Sequence, residues 1–351
     1  MTKKKILLTG ASGDVGYPTL LELLKHKSGY DIRVFLWKDD PKAKKINKFK
    51  DDIEFFFGDI TNINDVLIAT KDIDVVIHLA ALIPPMADHN PDLARKINVG
   101  GTKNILKALK EHNNNGKIIY SSSVSIYGDR IRNPNIKVTD PLQPSVGDKY
   151  AETKIEAEEL IKKSSFKWTI FRLSAIFIPQ RKIDPLMFHM PLDTLIEWTC
   201  CTDTARALVN AIEVDEIWGN IYNLGGGKDC CVSYRDFMNE MMKINGLGEN
   251  FLPEHWFATQ NFHCGYYVDG DMLEELVHFR KKTIQDMYND ARSVVPLYQR
   301  IFTKITPKFI IRKKLENTCE PLQAIKNNNE DLIKRFYGSK VEFHRISGNK
   351  T

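Results

Sequence analysis

Lys3-Lys4-Lys5-Ile6-Leu7-Leu8-Thr9-Gly10-Ala11-Ser12-Gly13-Asp14-Val15-Gly16 is the stretch whose reading decides the fold. The apolar run Ile6–Leu8 reads as a buried first strand, and a helical pattern runs from Val15 to about His26. Between them Thr9, Gly10, Gly13 and Gly16 stand at the spacing T-G-x-x-G-x-x-G. Strand, glycine turn and helix together are the context that a dinucleotide-binding turn needs. Glycine gives the turn access to φ > 0 and lets backbone approach a pyrophosphate, while the helix N-terminus offers free N–H groups and partial positive charge. A tight strand-to-helix connection with no ligand uses the same residues, so the rest of the chain must decide.

Outward from this turn, strand and helix signals alternate. Ile32–Trp37, Ile53–Phe57, Val75–His78 and Lys117–Ser121 read as strands, with helical patterns such as Asn64–Thr70 and Ala94–Glu111 between them. This alternation predicts an α/β fold: a Rossmann-type doubly wound parallel sheet, with a smaller, mixed C-terminal substrate lobe. The expected division is 1–175 for dinucleotide binding, with 202–224 returning to it, and 176–201 with 225–351 for the lobe and C-terminal extension. Ligands of such sheets bind at the carboxyl ends of the strands. At the end of the second strand, where a ribose-binding carboxylate commonly stands, the chain has Trp37 and Lys38. Lys38 can meet a 2′-phosphate, which tips the reading towards NADP over NAD. Asp59, after the third strand, is read either as an adenine contact or as a turn or helix-capping aspartate. Ala80 and Ala81 are small enough to lie against a ribose or simply to pack closely. Asn98 sits within a helical pattern, placed either to tie two strand ends together or to face water.

The residues with chemistry follow the fifth strand, Lys117–Ser121. Ser121-Ser122-Ser123-Val124-Ser125 is followed by Tyr150-Ala151-Glu152-Thr153-Lys154, which opens a helical stretch to about Lys163. Tyr150 and Lys154 are i and i+4, so they share a helix face. A free tyrosine titrates near pH ~10. A neighbouring ammonium is expected to lower that value and fit Tyr150 for proton exchange with a hydroxyl or carbonyl, with a serine hydroxyl on the same oxygen.

These motifs together resemble the extended short-chain dehydrogenase/reductase family, also called the NAD-dependent epimerase/dehydratase family. The resemblance covers about residues 5–240 and rests on Thr9–Gly16, Gly58-Asp59, His78–Ala81, Asn98–Thr102, Ser121–Gly128, Tyr150–Lys154, Phe171-Arg172, Asp203–Ala207 and Tyr222–Gly227. It implies an NAD(P)-dependent oxidoreductase in which Tyr150 is the acid/base, Lys154 holds the nicotinamide ribose and tunes Tyr150, and Ser123 orients the reacting oxygen. It further implies that Gly10, Ser12, Gly13, Asp14, Val15 and Gly16 cradle the pyrophosphate and that Trp37 and Lys38 lie by the adenosine ribose. Asp59 and Ile60 would meet adenine, Leu79, Ala80 and Ala81 would line the cofactor with Asn98 and Ser121, and Leu173 would lie near the nicotinamide.

Departures narrow the substrate. Dehydratases of this kind carry Asp-Glu after the serine, where this chain has Val124-Ser125. Nucleotide-sugar epimerases carry an asparagine where Ala175 stands, and a longer insertion before the Asp203 motif. The segment Ile176–Cys201 is mainly apolar, with Arg181 and Lys182 its chief cations. The expectation is hydride transfer between a nicotinamide and a carbonyl or secondary alcohol of a weakly charged small molecule. A nucleotide-sugar 4-epimerase is the alternative, and a non-enzymatic cofactor sensor a third reading.

Composition sets outer limits. A net charge of +5 is too mild to argue for nucleic acid, and no apolar run is long enough to span a membrane. No leader pattern precedes the glycine turn, so a cytoplasmic location is expected. The six cysteines form neither a disulfide framework nor a metal pattern, and no metal is expected. Aromatic and histidine residues crowd 251–269 and suggest a pocket wall. Residues 294–315 mix apolar side chains with Lys and Arg around Pro307, which breaks any single helix there. That segment is read as a cap, a dimer contact, a membrane-surface contact or an additional packed lobe. The family resemblance implies a homodimer through helices such as Ala94–Glu111 and Lys149–Lys163.

Overall fold

The computed structural model describes residues 3–112, 116–179 and 184–348. Lys4–Thr9 forms β1, buried from Ile6 onward, and Gly16–Lys25 forms α1. β2 (Tyr30–Trp37), β3 (Glu54–Gly58), α2 (Ile63–Ala69) and β4 (Val75–His78) follow. Next come α3 (Met86–His89), α4 (Pro91–Arg95) and α5 (Gly101–Glu111). One wider π-helical turn at Lys96–Gly100 joins α4 to α5. Such turns often mark a site where a side chain is re-aimed, and this one holds Asn98. β5 (Lys117–Ser123), the short β6 (Asn135–Ile136), α6 (Lys149–Lys162) and β7 (Lys167–Leu173) complete the first half.

Seven strands form one parallel sheet. Its order is β10-β7-β5-β4-β1-β2-β3, where β10 is Ile221–Leu224. The chain leaves β1 towards β2 and β3, then crosses back to β4 on the other side. That reversal opens a crevice between the carboxyl ends of β1 and β4, where ligands of such sheets sit. β8 (Ala175–Phe177) and β9 (Leu195–Cys200) lie outside this sheet, whereas α7 (Cys201–Asn210) packs with it: Ala207 and Leu208 share a core with Ile6, Leu8 and Leu20. The fold class expected from the alternation is the one observed.

The C-terminal part is smaller and mixed. β11 (Cys231–Ser233) pairs antiparallel with β9, which pairs parallel with β8, and β12 (Tyr266–Tyr267) pairs with β6. Seven helices follow β11: α8 (Tyr234–Ile244), α9 (Asp271–Val277), α10 (Ile284–Val294), α11 (Leu297–Ile305), α12 (Lys308–Glu316), α13 (Glu320–Lys326) and α14 (Glu330–Tyr337). An eighth, α15 (Lys340–Ser347), ends the described chain. Ser233 caps α8 by accepting from the Asp236 N–H.

One aromatic core runs through this part. Trp198 stacks on Phe237 with ring centroids 4.1 Å apart, and Phe251, Trp256, Phe257, Phe262 and Tyr267 are all buried beside them. Most of these rings fill the lobe's interior, while Phe251 and Phe257 also line a small cleft with Leu192, Arg235 and Met238. Composition shows that aromatics are there but not which face they take. α9 is an exception to the lobe, since Leu273, Val277 and Phe279 pack with the main sheet's core. All six cysteines are free. Among the described residues no helix is long and apolar enough to cross a membrane.

Candidate active site

The glycine turn is built by steric necessity. Gly10 has φ +71°, and a Cβ there would lie 2.8 Å from the Ala80 nitrogen, so β1 and the strand end of β4 meet only because the side chain is missing. A Cβ on Gly16 would fall 2.0 Å from the Gly10 carbonyl oxygen. Gly13 differs: its Cβ would meet one protein atom, that same oxygen, at 3.2 Å. Internal packing thus explains Gly10 and Gly16, while Gly13 leaves backbone open to the crevice. Ser12 and Val15 are half-buried and Asp14 is exposed at the turn's outer edge.

A buried hydrogen-bond chain pins the crevice floor. Thr9 Oγ1 accepts from the backbone N–H groups of Leu79 and Ala80, each at 3.1 Å. Its own proton then goes to His78 Nδ1 at 2.9 Å. His78 Nε2 lies 3.0 Å from Thr102 Oγ1, which donates to the Asn98 carbonyl at 2.6 Å. Burial, with the Lys154 ammonium nearby, pushes His78 down to about 3, so the ring is neutral and its proton sits on Nε2. Asn98 clamps the loop after β4. It accepts from the Leu82 N–H at 2.7 Å and donates to the Leu82 carbonyl at 3.0 Å and to Thr153 Oγ1 at 2.9 Å. Asn98 is buried and does not face water, and it ties the loop after β4 to helix α6 rather than two strand ends to each other. Thr9, His78, Thr102 and Thr153 lie within motifs that carry the family resemblance, but the sequence alone assigned them no role in building the site.

Ser123, Tyr150 and Lys154 come together. Asp148 caps α6 by accepting from the Ala151 N–H at 2.9 Å, which sets the helix start two residues before Tyr150. From the next turn Lys154 reaches the carboxyl end of β5, donating to the Ser121 carbonyl at 2.7 Å. Its ammonium lies 4.7 Å from the Tyr120 ring centroid and 5.6 Å from that of Tyr150. The Ser123 hydroxyl faces the Tyr150 phenol and accepts from the Ser125 N–H at 3.2 Å.

The expected lowering of Tyr150 is not found. Burial and the Asp148 carboxylate raise its titration well above the ordinary tyrosine value, although the Ser123 hydroxyl opposes them. Burial likewise brings Lys154 down to about 7, with Glu158 opposing. The i, i+4 spacing reads proximity correctly but contains nothing about desolvation, which outweighs the pair's attraction in the chain alone.

The remaining positions sort by place. Asp59 accepts from the Thr61 N–H at 2.8 Å, so its turn-forming reading is realised. Ile60 buttresses the start of α5 against Gly101, and its carbonyl accepts from Asn104 at 3.0 Å. Trp37, which ends β2, and Lys38 after it are exposed. Two cations not singled out in the sequence stand by the glycine turn and α1: Lys42, 3.8 Å from Asp14, and Lys45, over the Tyr17 ring at 4.5 Å. Leu79, Ala80, Ala81 and Leu173 are half-buried at strand ends, and Ser121 is buried with its hydroxyl turned to the His78 carbonyl at 3.3 Å. Arg181 and Lys182 lie outside the described residues. Behind the site, Arg172 forms a buried two-bond pair with Glu158 at 3.1 and 2.8 Å and donates to the Tyr127 hydroxyl at 2.7 Å. The C-terminal helices reach the same region, with Arg335 of α14 3.4 Å from Asp88 of α3.

Comparison with known proteins places this geometry. Residues 7–170 match the 3-beta hydroxysteroid dehydrogenase/isomerase family. The chain is 31% identical over 229 residues to the decarboxylating sterol-4-alpha-carboxylate 3-dehydrogenase of Saccharomyces cerevisiae, a match covering 59% of this chain and 64% of that protein. The corresponding Mus musculus enzyme is 30% identical over 200 residues, 54% of this chain and 50% of that protein. The chain thus spans about half to under two thirds of the length of these relatives. Among solved structures, UDP-glucuronic acid 4-epimerase from Bacillus cereus superposes with a TM-score of 0.69 at 24% identity, covering 83% of this chain and 98% of that one. Across residues 7–170 the chain is thus similar to the 3-beta hydroxysteroid dehydrogenase/isomerase family, and its fold is that of the NAD-dependent epimerases.

Proposed function

We propose that the protein is an NAD(P)-dependent oxidoreductase that interconverts a secondary alcohol and a carbonyl on a small, largely apolar molecule. The observation that carries this is the meeting of Ser123, Tyr150 and Lys154 at the carboxyl end of β5, in a sheet whose switch point is floored by an open glycine turn. The residues fit a dinucleotide. Gly13 leaves room for a pyrophosphate against backbone, and the buried Lys154 has donors beyond the one given to Ser121 for ribose hydroxyls. A bound nicotinamide supplies or accepts the hydride at the substrate carbon. Ser123 holds the substrate oxygen by a hydrogen bond, and Tyr150 moves the proton there, giving it in reduction and taking it in oxidation. The neutral phenol favoured in the chain alone is the form that donates. In this reading Trp37 and Lys38 flank the adenosine ribose, Asp59 and Ile60 the adenine, and Leu173 the nicotinamide. Exposed lysines at 38 and 42 favour NADP over NAD.

Residues 1–175 with 202–224 serve as the dinucleotide half, and 176–201 with 225–351 as the substrate half. The apolar substrate rests on Val124 and Ala175, which replace the polar groups expected for dehydration or for holding a sugar diphosphate, and on relatives named for sterol carboxylates. A homodimer through α5 and α6 is the assembly we propose, and sedimentation checks it. The test of function is oxidation of NADPH or NADH across a panel of ketones, sterol-like and short-chain. Turnover that needs Tyr150 supports the reading. Tightly retained cofactor with interconversion of UDP-sugars and no net oxidation would replace it with the epimerase, and binding without turnover would leave only a cofactor sensor.

A further inference from the structure

Helices α11 and α12 are consecutive and joined at Pro307, and their outward surface is apolar. Leu297, Tyr298, Ile301, Phe302 and Ile305 of α11 are 53–76% exposed and fall at i, i+1, i+4, i+5 and i+8, one stripe along one helix face. Phe309 and Ile310 in the first turn of α12 extend it at 70% and 49% exposure. A contiguous apolar surface of this kind is uncommon on a soluble chain and marks a contact site. The two helices are nevertheless anchored. Arg312 Nε donates to the Phe251 carbonyl at 2.7 Å, Arg300 bonds to the Arg292 carbonyl, and Leu315 is buried in the lobe.

The charges choose the occupant. From Ser293 to Leu315 there is no Asp or Glu. Arg300 and Arg312 serve as anchors. Lys304, Lys308, Lys313 and Lys314 are exposed, and no described carboxylate lies within ion-pair distance of any of them. Lys304 stands at the edge of the apolar stripe, and Lys313 and Lys314 alternate with Phe309 and Ile310 around the outer face of α12. A two-fold contact between copies would set this patch against itself and bring like charges together. We propose that the α11–α12 segment docks the protein on the surface of a bilayer containing anionic lipid, with the apolar stripe in the headgroup–acyl boundary and the lysines at the phosphates. This inference does not depend on the proposed activity.

Vesicle flotation of the full chain tests it, using phosphatidylcholine vesicles with and without phosphatidylserine. The protein should float with the anionic vesicles and bind neutral ones at least about tenfold less. Phe302→Asp with Ile305→Asp should abolish flotation, and Lys304→Glu with Lys308→Glu should remove the preference for anionic lipid. Unchanged circular dichroism and melting temperature would show that both variants remain folded. Failure of the unaltered chain to float, or equal flotation of the Asp variant, overturns the proposal. So does a concentration-dependent dimer that the Asp variant loses while neither protein binds vesicles.

Discussion

Tyr150 and Lys154 hold titrations displaced in opposite senses, phenol upward and ammonium downward, because both are taken out of water in the same place. This has a consequence for stability. Lys154 titrates at about 7 in the folded chain and near ~10.4 once unfolded. Between those values the unfolded chain binds a proton that the folded chain refuses, so stability rises with pH from 7 upward and the penalty is complete below 7. Between pH 7 and 9 the gain from this one group is about 2 kcal/mol. Urea titrations should show it in the unaltered chain and not in Lys154→Met; equal slopes would place the ammonium in a wetter site. Tyr150→Phe should lower kcat by roughly 10²–10⁴-fold while leaving dinucleotide affinity within a few-fold. That these side chains meet was legible in the i, i+4 spacing after a serine run. Their titrations were not, since burial is set by Tyr120, Ser121 and β7, which no local spacing reveals.

At the scale of elements, α6 and β7 are joined by the Glu158–Arg172 pair. Glu158 is 0% and Arg172 3% exposed, and Arg172 also holds Tyr127 and the Val138 carbonyl. Removing the carboxylate strands a buried guanidinium, so Glu158→Ala should cost about 3–5 kcal/mol by urea denaturation. A loss below 1 kcal/mol would mean that water reaches the pair. Gly16→Ala should prevent folding or dinucleotide binding, since its methyl would overlap the Gly10 carbonyl, whereas Gly13→Ala should fold normally and weaken dinucleotide binding selectively. Strands β1 to β5 were legible because parallel strands between two helical layers read as unbroken apolar runs. The wide turn at Lys96–Gly100 was not, since its sequence continues the helical pattern on both sides.

For the whole molecule, legibility falls along the chain. The glycine turn, the serine run and the Tyr-x-x-x-Lys pair each impose a geometry that few other residues satisfy. Past Cys230 the helices are mostly short, from seven to eleven residues, and too brief for a firm hydrophobic period. Their packing is decided by distant partners such as Arg335 with Asp88 and Arg312 with the Phe251 carbonyl. The apolar stripe of 294–315 was visible, but its exposure could be known only from the fold. A dinucleotide bound in the crevice should stabilise the chain by about 2.7 kcal/mol at a concentration one hundred times its Kd, read as a shift of the urea midpoint.

The central claim is that Ser123, Tyr150 and Lys154 couple a proton on the substrate oxygen to a hydride on the neighbouring carbon. Its most direct measurement follows deuterium from reduced nicotinamide dinucleotide labelled at C4 into the product of a ketone panel. The account predicts one deuterium on the carbinol carbon, formed at least about 100-fold more slowly by Tyr150→Phe at unchanged cofactor binding. Label transfer at equal rates in both proteins, or none from a bound dinucleotide across the panel, would contradict it.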